Sequence, residues 1–420
     1  MSKINPFKPN HPVSPSMFVG RIFEINALEK SLFQTKNGYP SNFLITGERG
    51  IGKSSLLGVI KPIANGEVTS LNYEVFNFIS INLVITPRTT LVVLMQLIEK
   101  ALKRKLENIE KAKDFLNNTW TFVERIKTLD SKVEKTKSSD RLDLIIDDFV
   151  YFLAEICKII TNSENEQEPK DGIVFFIDEA DSSSQDLHLG YFFKMVTELL
   201  LQHGCCNIMF IVVGLPNVVE KLTLSHESSM RIFNHLVIKE LSPEYSCYAV
   251  DKGLEIGNKI NSKITTITSD AKTLISTLSR GYPRFIQQFS YSAFEFSTNG
   301  EISTDDVNKG VFVVGGALDI IGKRYYYRAY NEQIKSDDYR EVLSIMAESM
   351  NSWVKKSEIH DKFNGADHVV TDALKVLSSK KIILKNPSKN WEYRLQYKGF
   401  ALWVRLFGER EKLYSTDVSM

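Results

Sequence analysis

Gly47-Glu48-Arg49-Gly50-Ile51-Gly52-Lys53-Ser54 is the stretch on which the reading of this chain turns. It fits G-x-x-x-x-G-K-[ST], and its flanks fit as well: the apolar run Asn42–Thr46 precedes it and a helical pattern over 54–60 follows. A strand that enters a glycine-rich turn and then opens a helix is a cradle for phosphate. Glycines let the backbone wrap an anion, and the N–H groups of Gly50, Gly52 and Lys53 then point at it. In that reading Lys53 reaches the β- and γ-phosphates of ATP and the Ser54 hydroxyl coordinates Mg2+. The bland alternative is a glycine turn with an exposed lysine.

Such a loop needs a carboxylate for its metal. The run IVFFI at 173–177 ends in Asp178-Glu179, an acidic pair leaving a buried strand. Asp178 would hold Mg2+ through water, and Glu179 would orient the attacking water. An acidic pair after a strand is common, so its weight comes from the phosphate loop upstream. Asn82, near the end of a second apolar run at 73–84, is a candidate to restrain Glu179 until a ligand arrives.

Working outward, strands and helices alternate: strand patterns at 73–84 and 208–213, helical patterns at 23–33, 90–117, 140–161 and 187–203. A polar loop at 163–171 leads into 173–177, and a Lys/Ser/Glu-rich hinge separates two helices near 130–139. The order predicts an α/β fold, a parallel sheet covered on both faces. From about Leu241 the pattern becomes all-helical, with segments at 245–257, 269–278 and 284–297. A helical connector at 304–335 ends in a basic-aromatic cluster, Lys323 to Arg328. Three more helices (337–350, 356–363, 366–379) and a hairpin (381–385 with 391–395) then have the order of a winged helix-turn-helix.

Composition narrows the classes. Apolar residues are 43% and charged residues 25%, which excludes wholesale disorder. Fifty-two Lys and Arg face fifty-one Asp and Glu, so any nucleic-acid contact must come from a local patch. No apolar run approaches the ~20 residues of a membrane helix, so no membrane partner is expected. The first fifteen residues lack the apolar core of a secretory signal. Cys157, Cys205, Cys206 and Cys247 have neither metal-ligand nor redox spacing and read as buried reduced thiols. A cytoplasmic location is the expectation.

These motifs also carry a resemblance. Phe18-Val19-Gly20-Arg21 with Glu24 resembles the opening of AAA+ and STAND-type P-loop ATPases, in particular archaeal and bacterial ATPases allied to the origin-recognition initiators. Ile177-Asp178-Glu179-Ala180-Asp181 is similar to their Walker B, and Gly281-Tyr282-Pro283-Arg284 to their sensor 2 segment. The resemblance implies a P-loop NTPase core with an α-helical lid and a C-terminal winged helix. The expected division is an arm at 1–16, core at 17–240, lid at 241–303, connector at 304–335, winged helix at 336–413 and tail at 414–420. It further implies that Gly47 to Ser55 bind nucleotide, with Glu48, Arg49, Ile51 and Ser55 in that set. Val19 and Gly20 would lie against the adenine, and Arg284 would approach the γ-phosphate; a helix-start arginine at the surface is its alternative. Arg231 stands where the family places an arginine finger, supplied across a subunit interface; an arginine salt-bridged within its own domain is the other reading. After 208–213 the chain reads Gly214-Leu215-Pro216-Asn217, a departure from the usual polar sensor 1 that leans towards the STAND relatives. Asn217 is the nearby polar candidate.

The C-terminal module is less one-sided. Its recognition helix, 366–379, sets Asp367 and Asp372 against Lys375, where a DNA-reading helix presents basic or amide groups. Lys355, Lys356, Lys380, Lys381, Lys385 and Lys389 offer a phosphate-contacting rim. The cluster at 323–328 either touches a nucleic-acid backbone or packs its tyrosines inside the protein. The expected function is an ATP-hydrolysing ATPase, binding ATP or ADP, whose nucleotide state controls homo-oligomer assembly and binding to double-stranded DNA. The alternative is a regulatory switch, for example in defence against phage, that controls a separate effector protein.

Overall fold

In the computed structural model the described residues are 3–70, 72–118, 138–162, 168–350 and 352–417. The hinge expected at 130–139 lies largely outside them, as do residues 163–167 of the polar loop expected at 163–171. The chain falls into two compact units. One is Arg21–Gly47 with Gly52–Lys239; the other gathers Met1–Gly20, Glu48–Ile51 and Glu240–Met420.

The first unit is built on five parallel strands: β1 (Asn42–Thr46), β2 (Phe78–Val84), β3 (Gly172–Asp178), β4 (Ile208–Gly214) and β5 (Phe233–Val237), in the order β2-β3-β4-β1-β5. β3 and β4 are buried along nearly their whole length. Central parallel strands have both faces covered, which is why IVFFI and IMFIVVG read as continuous apolar runs. Phe175 pairs with Phe210 in the register, and their rings stack at 5.1 Å. On that face Ile173, Phe175 and Ile177 join Leu94, Ile98, Phe149 and Phe192 from the helices Leu91–Lys105, Ser138–Thr161 and Leu189–Gln202. Each such side chain contributes about 1.5–3 kcal/mol by leaving water.

Several expected boundaries shift for packing reasons. The helical pattern over 90–117 splits into Leu91–Lys105 and Glu110–Asn118, and the break lets Ala112 and Leu116 turn into the same core. The strand expected over 73–84 begins only at Phe78, where pairing with Gly172 starts. β5, absent from the sequence reading, is an edge strand with exposed Asn234 and His235. Of the thiols, Cys157 and Cys205 are buried, whereas Cys206 and Cys247 are half-buried.

In the second unit the lid helices are Pro243–Ile260, Ser269–Ser279 and Pro283–Phe296, and a short parallel pair joins β6 (Thr266–Ile267), after the first, to β7 (Glu301–Ile302), after the last. The N-terminal segment straps across these helices. Phe7 is 2% exposed and lies against Gly253 and Phe294, while Asn5 donates to the Tyr291 carbonyl. The winged helix comprises the helices Asp337–Glu348, Lys356–Lys362 and Asp367–Ser379 and a sheet of β8 (Val354–Lys355), β9 (Ile383–Lys385) and β10 (Glu392–Leu395) in the order β8-β10-β9.

A twenty-residue helix that the sequence reading omitted, Lys398–Asp417, closes the chain. Its Trp403 is 1% exposed, donates to the Leu318 carbonyl at 2.9 Å and meets Tyr326 and Tyr330. The cluster at 323–328 is therefore split. Tyr326 packs inward on Phe400 and Trp403, while Lys323, Arg324, Tyr327 and Arg328 are exposed. The segment carrying these tyrosines, Gly322–Tyr326 and Arg328–Gln333, is wound as wider π-type turns, a geometry that often accompanies functional sites.

Candidate nucleotide site

The candidate residues of each unit are placed by that unit's own strands and helices. In the first unit, β1 and β3 end at the same edge with β4 between them, since Thr46 is level with Gly214 and Ile177 with Val212. That edge, at the carboxyl ends of the strands, is where parallel α/β sheets take their ligands. Gly52 has φ 104° and opens the helix Lys53–Ala64 directly. A side chain in that left-handed conformation would be strained, so the glycine is required. The Lys53 ammonium donates to the Gly47 carbonyl at 2.6 Å, closing the loop on itself. Ser54 Oγ donates to Asp178 Oδ2 at 3.4 Å, and Ser55 is buried behind it.

Hydroxyl and carboxylate oxygens are hard donors, and Mg2+ is held by one or two carboxylates completed by phosphate oxygens and water. The Ser54–Asp178 pair fits that requirement. Among the described residues no cluster of three His, Cys, Asp or Glu offers a self-sufficient metal cage. Glu179 follows with φ 55°, a left-handed backbone rare for a residue with a side chain. Strain of this kind collects at functional sites. The Glu179 N–H donates to Asp178 Oδ1 at 2.8 Å, and its own carboxylate is exposed.

Other candidates in this unit separate. Asp181, the third acid of the motif, accepts from the Leu215 N–H at 2.9 Å and so ties the acidic turn to the end of β4. Asn217 caps the next helix only through its backbone, and its Oδ1 is buried without a hydrogen-bond partner among the described residues. Asn82 is level with Phe176, short of the acidic pair, and no hydrogen bond joins it to Glu179. Arg231 is exposed at the end of the 3-10 turn Glu227–Ile232, directly before β5. No ion pair or side-chain hydrogen bond involves it among the described residues. Arg21, by contrast, is buried, pairs with Glu24 at 3.2 Å and donates to the Lys239 carbonyl, so this part of the opening motif is structural.

In the second unit Gly20 presses against Tyr245 and Leu241, with half-buried Val19 beside it. Gly50 has φ 84°, and a Cβ there would come within 2.6 Å of the Arg284 guanidinium. Arg284 thus lies across the loop backbone, and its main-chain N–H donates to the Gly50 carbonyl at 3.3 Å. The guanidinium sits 3.7 Å from the Tyr325 ring centroid, and its NH1 is buried without a hydrogen-bond partner among the described residues. Burial lowers its pKa, opposed by the two tyrosines Tyr325 and Tyr326. A buried guanidinium nitrogen with no acceptor beside a phosphate loop is suited to an incoming anion. Arg49 is exposed and Ile51 buried. Glu48, expected only as one of the loop's variable positions, holds several partners. It accepts from the N–H groups of Lys398 and Gly399 at 2.8 and 2.9 Å and from the Tyr282 hydroxyl at 3.1 Å.

With this geometry established, comparison with known proteins is specific for the front of the chain. Residues 17–202 match the AAA ATPase domain. Over those residues the chain is similar to AAA ATPase domains, and its fold is similar to that of an origin-recognition protein. The Aeropyrum pernix ORC2 protein, in a structure of its ADPNP–ADP complexes, aligns over 100% of this chain and 99% of its own with a TM-score of 0.52 at 14% identity. Its ADP form aligns over 98% of each chain with a TM-score of 0.51, also at 14% identity. At such identity the likeness is one of fold. No curated protein sequence matches the chain. No helix among the described residues is long and apolar enough to cross a membrane.

Two substitutions test the roles expected of these residues. Lys53→Ala is expected to abolish ATP binding in a nucleotide titration, because the loop then lacks the ammonium expected to meet the phosphates. Glu179→Gln is expected to bind ATP at near wild-type affinity but to hydrolyse it about a hundredfold or more slowly. Wild-type turnover by Glu179→Gln would remove that role.

Proposed function

We propose that this protein binds and hydrolyses ATP with Mg2+ and that its nucleotide state governs subunit assembly and the binding of double-stranded DNA by the winged helix. The observation that carries the proposal is the Ser54–Asp178 contact of 3.4 Å, with Glu179 next in the chain. Bound at that pair, Mg2+ would neutralise charge on the phosphates. Lys53 would give up its Gly47 carbonyl contact for the β- and γ-phosphates, and Glu179 would accept a hydrogen bond from the attacking water. Arg284 would offer its unpaired nitrogen to phosphate oxygen, and Val19 and Gly20 would bound the adenine. The exposure of Arg231 supports a finger acting on a neighbouring subunit, since a guanidinium facing developing charge can lower a barrier by several kcal/mol.

For the winged helix, charge favours the wing over the recognition helix. Trp391 and Trp353 are exposed on the wing, Arg394 stacks on Trp353 at 4.7 Å, and Lys355 and Lys385 stand exposed beside them. This patch suits a phosphate backbone. The exposed face of the helix Asp367–Ser379 instead presents Asp367, His368, Thr371, Asp372 and Lys375. That acidic face favours the second reading, a protein partner such as a separate effector.

Two measurements test these assignments. Arg231→Ala is expected to bind ATP normally, lose at least about tenfold in hydrolysis, and regain activity when mixed with Lys53→Ala subunits. Concentration-independent activity from a monomer in ATP would show that Arg231 serves only its own domain. Replacing Lys355 and Lys385 with Ala is expected to weaken DNA binding across sequences and to flatten the log–log salt dependence by about 2. An unchanged slope would direct attention to a protein partner.

A further inference from the structure

The helix Lys398–Asp417 takes acceptors for its first N–H groups from a residue far away in sequence. Tyr397 is its N-cap residue, because the Ala401 N–H bonds the Tyr397 carbonyl. Lys398 and Gly399 therefore occupy the first two helical positions, whose N–H groups have no acceptor inside the helix. Ser, Thr, Asp or Asn would ordinarily supply one from the N-cap position, which a tyrosine does not. The acceptor comes instead from Glu48, 350 residues earlier in sequence, which takes one N–H on each carboxylate oxygen. Around this contact the Tyr282 hydroxyl faces both Glu48 and Glu240, and the Lys398 ammonium pairs with Glu240 at 3.0 Å. Burial, with Glu48 and Glu240 adding to it, pushes the Tyr282 hydroxyl far above the ordinary tyrosine range, so it remains a donor. Burial raises the Glu240 carboxyl, but backbone hydrogen bonding and Lys398 outweigh it and hold the group ionised. Two carboxylates, a hydroxyl, an ammonium and two backbone donors are thus joined in one network.

We propose that Glu48 is a positioning residue that makes the phosphate loop the docking post of the C-terminal helix, so that nucleotide occupancy and docking of the winged-helix module reinforce each other. This deepens the reading of the protein as a nucleotide-dependent ATPase and rests on it. Two physical effects have the same sign. Anchoring Glu48 holds Glu48–Ile51 in the cradle shape before phosphate arrives, which spares the loop the entropy of ordering on binding. The helix terminus, with its positive end and two N–H groups, also offsets a carboxylate that stands in an anion-binding loop. An undocked helix leaves that carboxylate unmatched beside the incoming phosphates. By linkage, phosphate in the loop must tighten docking by the same factor that docking tightens nucleotide.

The test deletes one backbone N–H far from the loop in sequence. Proline is accommodated at the first helical position, so Lys398→Pro removes the donor to Glu48 while permitting the helix. Lys398→Ala is its control, since it keeps the N–H and loses only the ion pair with Glu240. ATP affinity, read by titration, is expected to fall at least about fivefold in Lys398→Pro relative to Lys398→Ala, the lower end of ordinary coupling. In the wild-type protein, ATP is expected to slow amide exchange at Lys398 and Gly399 by a similar factor. The exchange measurement decides the matter alone if Lys398→Pro does not fold. Equal affinities in a folded Lys398→Pro and Lys398→Ala, or no effect of ATP on those two amides, would overturn the proposal. Failure of the wild-type protein to bind ATP is a different result and would overturn the proposed function itself.

Discussion

Main-chain pairing in the three central strands sets where the candidate residues of the sheet unit can stand. β1 delivers Gly47 and β3 delivers Asp178, and neither strand touches the other because β4 hydrogen-bonds to both. The register levels their carboxyl ends, so the Ser54 hydroxyl and the Asp178 carboxylate meet across the width of a strand. A slip of one residue would exchange the two buried faces of β3, breaking their packing, and would misplace the acid pair as well. Stacked Phe175 and Phe210 and the helices above them resist that slip.

Local chemistry was legible in the sequence and distant chemistry was not. The phosphate loop, the acidic pair and the alternation of strands and helices each live within a few residues, and they led directly to the observed sheet core. The helix Lys398–Asp417 escaped because Tyr397 offers no capping oxygen; its cap, Glu48, comes from the other end of the chain. β5 escaped because Asn234 and His235 interrupt the apolar pattern of an edge strand. Arg284 could be singled out from its motif, but nothing nearby in sequence announces Tyr325, the ring on which its guanidinium lies. Glu48 occupied a variable position of the loop pattern, and its role became visible only once the chain closed on itself.

Charge is distributed unevenly where the global balance is nearly neutral. Lys53, Arg49 and Arg284 belong to the loop or lie on it, while Glu48 introduces a carboxylate into the same stretch and is matched by helix donors and Tyr282. In the winged helix, the basic and aromatic groups gather on the wing and the acids on the recognition helix. Fold and net charge say little about such a protein's partners; these local imbalances carry the information.

The most direct test of the account is the magnesium dependence of ATP affinity in the wild-type protein and in Asp178→Asn. If Ser54 and Asp178 complete a metal site with the phosphates, wild-type affinity should rise on adding Mg2+, and the variant, which keeps the Lys53 loop, should bind ATP with little response to the metal. Affinity in the wild-type protein that is indifferent to Mg2+, or a variant that responds as strongly as wild type, would contradict it.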